Sequence, residues 1–524
     1  MPIAIATVPL LQFEAMRMPK QSRALDEEFD QSDLRENIKG KTVRGGIFMI
    51  AGSVVQLSVS LIGNWLLTRE LTKADYGLIG MVTILTGFIG LFSNLGITQA
   101  VVQTQRLTKG QLSTLFWFGT VIGLLVALIN LALAPGLVWF FNEPRLFGIS
   151  AFYSLFLMIG ALTFQHRAIL QRQMRFAELS TISVISNLAG VSAAVWAVFN
   201  NFSYWSLVIL NGVTQLCLLA GLWSMTRWIP GAPRRGTGVR KLVSFGMNVS
   251  AAQMVNYFAK NIDNLLLGKF WGVAVLGLYS RSYSLMTMPS AKINQPILGV
   301  IISSLSKINN QPERYRRLLL SYVSLVSLTV CPIVIGIVLI VDIAVPFLFG
   351  DKWIDLVYIF YALSPACLMT ATNTTGWFYT SYGHVDRRFK WSLMVVPILL
   401  IAMICGLPWG AIGVAIAVSS FYVIFKPLSI IFACVGTPLK PRDFLEPIGG
   451  PILITVFPGI LALFTSFLFE FDPVYVILFR VLIYAGGILT LLFFTSLGRR
   501  ILEQFKTTLK QLFDRKRSRK TQAG

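Results

Sequence analysis

Three ionisable residues sit where the surrounding chain is apolar: Lys260, Asp263 and Arg281. A charge at the centre of a lipid-embedded helix costs roughly 2.5–3.5 kcal/mol on insertion scales, so each needs a partner or a task. Lys260 and Asp263 are three residues apart, close enough to pair on one helix face, and Arg281 enters the next apolar segment at a similar depth. One carboxylate between two cations leaves a net positive site, which suits an anion such as a phosphate. A self-contained ion-pair cluster tying two helices is the other reading. Lys292, Lys426 and Arg480 are further cations inside apolar segments, each near enough to a segment end for the long side chain to reach the interface.

Polar stripes run beside these charges. Ser53, Gln56, Ser60 and Asn64 recur at steps of three and four, and so do Gln253, Asn256, Lys260 and Asn264, which keeps each set on one face of a helix. Such stripes either hydrogen-bond between packed helices or line a water-filled cavity. A second basic group, Arg167, Arg172 and Arg175 in the segment QHRAILQRQMRF, could receive a phosphate at a cytoplasmic entry or could simply fix orientation.

The elements that must position these groups follow from composition. The chain has 524 residues, 55% apolar and 13% charged, with a mean hydropathy of +0.68. Soluble domains carry charge on about a quarter of their residues, so a soluble enzyme is excluded. Apolar runs long enough to cross a ~30 Å hydrocarbon core recur along the chain. Fourteen candidate spans are expected, from 43–67 to 473–497, giving an all-α polytopic membrane protein of roughly 12–14 transmembrane helices. Nineteen basic residues fall in the even-numbered connections against five in the odd-numbered ones, which predicts both termini on the cytoplasmic side. The formal net charge of +22 is thus mainly an orientation signal and not a nucleic-acid footprint. The basic tail with its RKRSRK run suits anionic lipid head groups.

The chain also repeats itself at an offset of 200 residues. Between 41–78 and 241–278 there are 12 identities in 38 ungapped positions, among them Asn64 with Asn264, Leu67 with Leu267 and Gly77 with Gly277. Six spans separate the two starts, so both copies enter the membrane from the same side, a parallel repeat. The expected organisation is a cytoplasmic N-terminal tail (1–40), a first six-helix lobe (41–240), a second (241–440), two additional spans (441–498) and a basic tail (499–524). The ionic cluster belongs to the second copy alone, because Ser60, Gly63 and Met81 stand where Lys260, Asp263 and Arg281 would recur.

Several chemistries find no support. The five cysteines lie in apolar stretches without CxxC spacing, and the two histidines, His166 and His384, fall in basic connecting segments, so neither a metal site nor a cofactor is expected. The GKT at 40–42 lacks the first glycine of a phosphate-binding loop, since position 35 is Arg. The odd-numbered connections are too short to carry a catalytic domain of a polysaccharide polymerase or ligase, so no enzyme is expected.

The segments KGKTVRGGIFMIAGSVVQLSVSLIGNWLLTRELTKADYGLIGMVTI, RAILQRQMRF and NYFAKNIDNLLLGKFWGVAVLGLYSRSYSLMTMP resemble the Wzx-type polysaccharide flippases, in the colanic-acid and lipopolysaccharide exporter branch of the multidrug/oligosaccharidyl-lipid/polysaccharide superfamily. PERYRRLLLSYVSLVSL and FGDKWIDLVYIFYALSP fit the same pattern. The resemblance covers roughly 38–440. It implies two lobes around a central cavity, alternating access with ion coupling, and an undecaprenyl-pyrophosphate-linked oligosaccharide as substrate in the bacterial inner membrane, with a polymerase and co-polymerase as partners. Under that reading Lys260 and Arg281 offset the pyrophosphate. Gln56, Asn64, Gln253, Asn256 and Asn264 meet the sugars, and Asp263 tempers the cations or holds a coupling proton or cation. A drug antiporter on the same fold is the alternative.

Overall fold

The computed structural model describes residues 38–94, 98, 101, 107–233, 239–306, 308, 311–371, 376, 379, 385–437, 439–465, 472–503 and 505, and helix breakers divide these described residues into fourteen long helices. The first six are α1 (Ile38–Glu70), α2 (Lys73–Asn94), α3 (Lys109–Phe141), α4 (Arg145–Arg172), α5 (Phe176–Phe199) and α6 (Trp205–Thr226). The stretch Val239–Ser306 is broken at Gly272 into two arms, α7 (239–271) and α8 (273–306). Then come α9 (Pro312–Phe349), α10 (Asp355–Ala371), α11 (Val385–Gly406), α12 (Gly410–Cys434), α13 (Gly450–Thr465) and α14 (Pro473–Phe494). Among the described residues there is no strand.

Each break has a local cause. At Gly272 the backbone takes φ +80°, a region that costs an L side chain energy and a glycine little. Thr108 caps α3 reciprocally with Gln111, each side chain accepting from the other's backbone N–H. Asn142 closes the same helix in the left-handed conformation, where Asn is tolerated. A π-helical turn at Leu445–Gly449 leads into α13.

Eleven stretches of described residues are long and apolar enough to cross a membrane, and one of them, Lys390–Cys434, contains α12 and most of α11. Each of the fourteen expected spans has a helix. The protein is a multi-pass membrane protein whose apolar residues cover its outside: Phe457, Phe464, Leu482 and Phe494 on α13 and α14 are all more than 60% exposed. Polar groups are turned inward, as with Asn130 of α3, which donates to Ser154 Oγ (2.8 Å) on α4.

Helices α1–α6 pack mainly on one another, as do α7–α12. The principal contact between the two sets is α2 against the α7–α8 pair. It is closest where Gly77 and Gly277 face each other. A Cβ on Gly77 would lie 1.8 Å from the carbonyl oxygen of Val273, and one on Gly277 would lie 1.8 Å from that of Lys73. The two contacts are reciprocal, since residues 73 and 273, like 77 and 277, are 200 apart. Helices α13 and α14 pack on α9, where Arg480 of α14 donates to Asp342 (2.8 Å) and to the Leu339 carbonyl (2.7 Å).

Candidate functional site

The expected cluster of Lys260, Asp263 and Arg281 does not assemble as one ionic group. Asp263 is buried on α7, where its Oδ2 accepts from the Tyr279 hydroxyl (2.8 Å) and its Oδ1 from the Asn264 backbone N–H (2.8 Å). No ion pair joins it to Lys260 or Arg281 among the described residues. The cause is helical phase: Tyr279 and Arg281 are two residues apart on α8, about 200° around the axis. The face that meets Asp263 therefore carries the tyrosine, and Arg281 points elsewhere. Lys260 is exposed.

Arg281 points across the contact between the two helix sets. It is 7% exposed, and its guanidinium donates to Asn64 Oδ1 (3.1 Å), the Asn64 carbonyl (3.3 Å) and Thr68 Oγ1 (2.5 Å), all on α1. It also lies over the Tyr76 ring at 4.7 Å, a favourable cation–π position. No carboxylate pairs with it among the described residues, and its Nε has no hydrogen-bond partner. A fully charged group is thus held by neutral oxygens and an aromatic face.

The surrounding shell ties the same ends together. The Thr68 and Tyr76 hydroxyls share a hydrogen bond (3.0 Å), and Trp353 donates its indole N–H to the Thr68 carbonyl (2.9 Å). Trp353 is fully buried and edge-on to Tyr76. Lys352 donates to the Glu70 carbonyl (3.2 Å), and Lys73 pairs with Asp355 (2.5 Å). Lys269 donates to the Phe140 carbonyl. Asp75 is locked by Ser203 and Thr72 within the first helix set. Lys352, Trp353 and Asp355 come from the FGDKWID segment, which the sequence reading noted only as a resemblance. Thr68, Tyr76 and Tyr279 carried no separate signal.

The second copy of the Asn64 position behaves differently. Asn264 is half-buried and its Oδ1 has no hydrogen-bond partner. Where Arg281 meets Thr68, the counterparts are Met81 and Gly268, and a Cβ on Gly268 would touch the end of Met81 at 3.4 Å. Of the remaining stripe residues, Ser60 bonds Asn187 of α5 (3.3 Å), so that contact is interhelical, and Gln56 is half-buried. The side chains of Gln253, Asn256 and Lys292 lie outside the described residues.

The basic group of 165–176 separates into three fates because α4 continues to Arg172, two turns beyond its expected end. His166, expected in a connection, is instead buried in α4, bonded to Thr226 (2.8 Å) and ringed by Phe116, Trp223 and Trp228. Arg172 is buried and donates to the Val101 carbonyl (2.9 Å). Arg175 is held by Glu178 and by the Met225 carbonyl (3.0 Å). Arg167 alone of the three is exposed, at the wall of a cavity of about 330 Å³ enclosed by α2, α4, α5 and α6. Lys426 and Arg480 are buried in protein and do not reach out to an interface; the partner of Arg480, Asp342, was missed because it stands near the end of a span.

Comparisons with known proteins bear on what this arrangement is for. The teichuronic acid biosynthesis protein TuaB of Bacillus subtilis is 26% identical over 384 residues, covering 72% of this chain and 79% of that protein. The lipopolysaccharide biosynthesis protein WzxC of Escherichia coli is 23% identical over 410 residues, covering 75% and 82%. Among solved structures, the lipid II flippase MurJ in an inward closed conformation superposes with a TM-score of 0.64 at 14% identity, over 85% of this chain and 98% of that one. An inward-facing multidrug resistance MATE family transporter of the MOP superfamily gives 0.55, over 73% and 97%. These likenesses identify the fold as that of MurJ and the MATE transporters. The model of the polysaccharide biosynthesis protein family matches residues 66–358, more than half of the chain, Thr68, Gly77, Gly277 and Arg281 among them, and the chain belongs to that family.

Proposed function

We propose that this protein is a flippase that moves a polysaccharide precursor, an oligosaccharide linked through pyrophosphate to undecaprenol, from the cytoplasmic to the outer leaflet. The observation that carries the reading is Arg281, a buried guanidinium with no carboxylate partner among the described residues, placed between the two helix sets of a chain belonging to a polysaccharide biosynthesis family. A cation held only by neutral oxygens can exchange them for a phosphate at little cost, whereas one committed to a carboxylate could not.

The reciprocal approach of Gly77 and Gly277 supports treating 41–240 and 241–440 as two lobes related by a two-fold axis along the membrane normal. With both termini cytoplasmic, the connections holding Lys73, Lys269 and Lys352 face outward. The latch built from Lys73–Asp355, Arg281–Thr68 and Trp353–Thr68 then closes the outer end, and substrate enters from the cytoplasm. Alternating access consists of parting that latch. Asp263, engaged by Tyr279, serves to hold α7 on α8 and does not temper Arg281. The polysaccharide polymerase and its co-polymerase receive the flipped units.

Deleting the gene should accumulate lipid-linked repeat units on the inner leaflet and stop polymer export. Complementation with an Arg281→Ala variant, produced at the normal level, should fail; full export by it would overturn the site assignment.

A further inference from the structure

We infer that the cavity inside the first helix set is a binding site for a phosphate ester bearing a polyol, the glycosyl phosphate of the carrier-linked substrate. This rests on the flippase reading and adds a site apart from Arg281. The cavity lies wholly within α2, α4, α5 and α6, and at about 330 Å³ it falls at the lower end of the ~300–1,000 Å³ range of small-ligand sites. It holds one head group and not an oligosaccharide.

Its chemistry selects the ligand. Ser93, Thr163 and Ser183 line it, and each hydroxyl donates to a carbonyl of its own helix, Gly90 (2.6 Å), Gly160 (2.7 Å) and Leu179 (2.7 Å). With their protons spent, the three oxygens offer only lone pairs, so the complementary ligand supplies several O–H donors. Gln215, also on the wall, makes no hydrogen bond to any described residue and can both donate and accept. Among the described residues Arg167 is the only charged one of the lining, and it has no hydrogen-bond or ion-pair partner there. A guanidinium with five free donors beside a set of acceptors matches a phosphate carrying hydroxyls. Ile182, Leu218 and Phe156 form an apolar wall against which the face of a sugar ring packs. Among the described residues no acid lines the cavity, which disfavours an organic cation and so separates this site from that of a drug antiporter.

Gly160 gives a direct test. A Cβ there would meet only the tip of Phe164, at 3.9 Å, so a larger side chain fills the cavity without displacing backbone. The full chain in phosphatidylcholine nanodiscs is titrated with glucose 1-phosphate, inorganic phosphate and glucose. Glucose 1-phosphate should bind more tightly than either fragment. Arg167→Gln should weaken it about tenfold, the scale of one charge-assisted hydrogen bond, and Gly160→Leu should abolish it. Thermal unfolding of both variants should match the parent, and Gly160→Ala controls for a helix effect. Equal binding to the Gly160→Leu protein, or inorganic phosphate binding as tightly as the sugar phosphate, would overturn the assignment. If phosphatidylglycerol in the disc displaces the probe, the cavity belongs to a membrane lipid and the substrate assignment is lost. Binding is read without transport, so normal export in the deletion strain would defeat the flippase reading alone. Conversely, normal export by Gly160→Leu together with failed export in the deletion strain would defeat this site alone.

Discussion

Arg281 brings a charge into the contact between the two helix sets, and its neighbours define what can replace it. Asn64 Oδ1, the Asn64 carbonyl and Thr68 Oγ1 are met by two arms of one planar group. Lysine keeps the charge but not the fork, so Arg281→Lys should lose polymer export as fully as Arg281→Met when tested by complementation. Thr68→Val removes one acceptor and leaves the guanidinium short of a bond, a cost of about 1–3 kcal/mol. A lower melting temperature of the purified protein would register it, and an unchanged one would show that the bond contributes nothing. The residue types and depth of Lys260, Asp263 and Arg281 were legible in the sequence. Which of them would touch was not, because the 200° phase between Tyr279 and Arg281 matters only once α7, α8 and α1 are packed.

At the scale of elements, α2 and α8 approach through glycine because nothing larger fits. In Gly77→Ala and Gly277→Ala the new methyl would sit 1.8 Å from a backbone carbonyl oxygen, which cannot move aside as a flexible side chain can. Each should destabilise the protein by about 1–3 kcal/mol or more, read as a lowered unfolding temperature in detergent. The reciprocity predicts similar losses for the two; a loss at only one would show that the contact is not two-fold. The additional helices α13 and α14 are held to α9 partly through Arg480 and Asp342. Asp342→Ala strands a buried cation and should cost about 3–5 kcal/mol, whereas the double variant Asp342→Leu with Arg480→Leu should recover most of it, as replacing both partners removes the desolvation penalty. Helix positions were visible in the hydropathy pattern, and the expectation of a repeat came from identities at an offset of 200 residues. The Arg480 pairing was not, because Asp342 and Arg480 are far apart in sequence and only packing makes them neighbours.

For the whole molecule, the described contacts between the two helix sets run along α2 from the Lys73–Asp355 pair to Phe88, which packs on Tyr257 and Phe258, and parting them is the motion the proposed function requires. Cysteines placed at Lys73 and Asp355, whose side-chain ends now meet at 2.5 Å, should be joined by a bis-methanethiosulfonate reagent long enough to replace the lost lysine reach, in a variant lacking the five native cysteines. The cross-linked protein should stop exporting polymer, and reductant should restore export. Continued export by the fully cross-linked protein would show that the latch need not open.

The sequence by itself determined the membrane class, the helices and the presence of intramembrane charge, because each of these is written in local composition and period. Only the tertiary structure decided which charges are paired, which are buried and which face a cavity. Arg167, Arg172 and Arg175 read alike in one short segment, yet one lines a cavity, one is spent on the Val101 carbonyl and one on Glu178. Lys260, Asp263 and Arg281 read as one cluster, yet Asp263 meets Tyr279, Arg281 meets Asn64 and Thr68, and Lys260 is exposed. The physical reason is the same in both cases. A residue's type sets what it can do, but its partners come from helices tens or hundreds of residues away, and their relative rotation is settled only when the bundle closes.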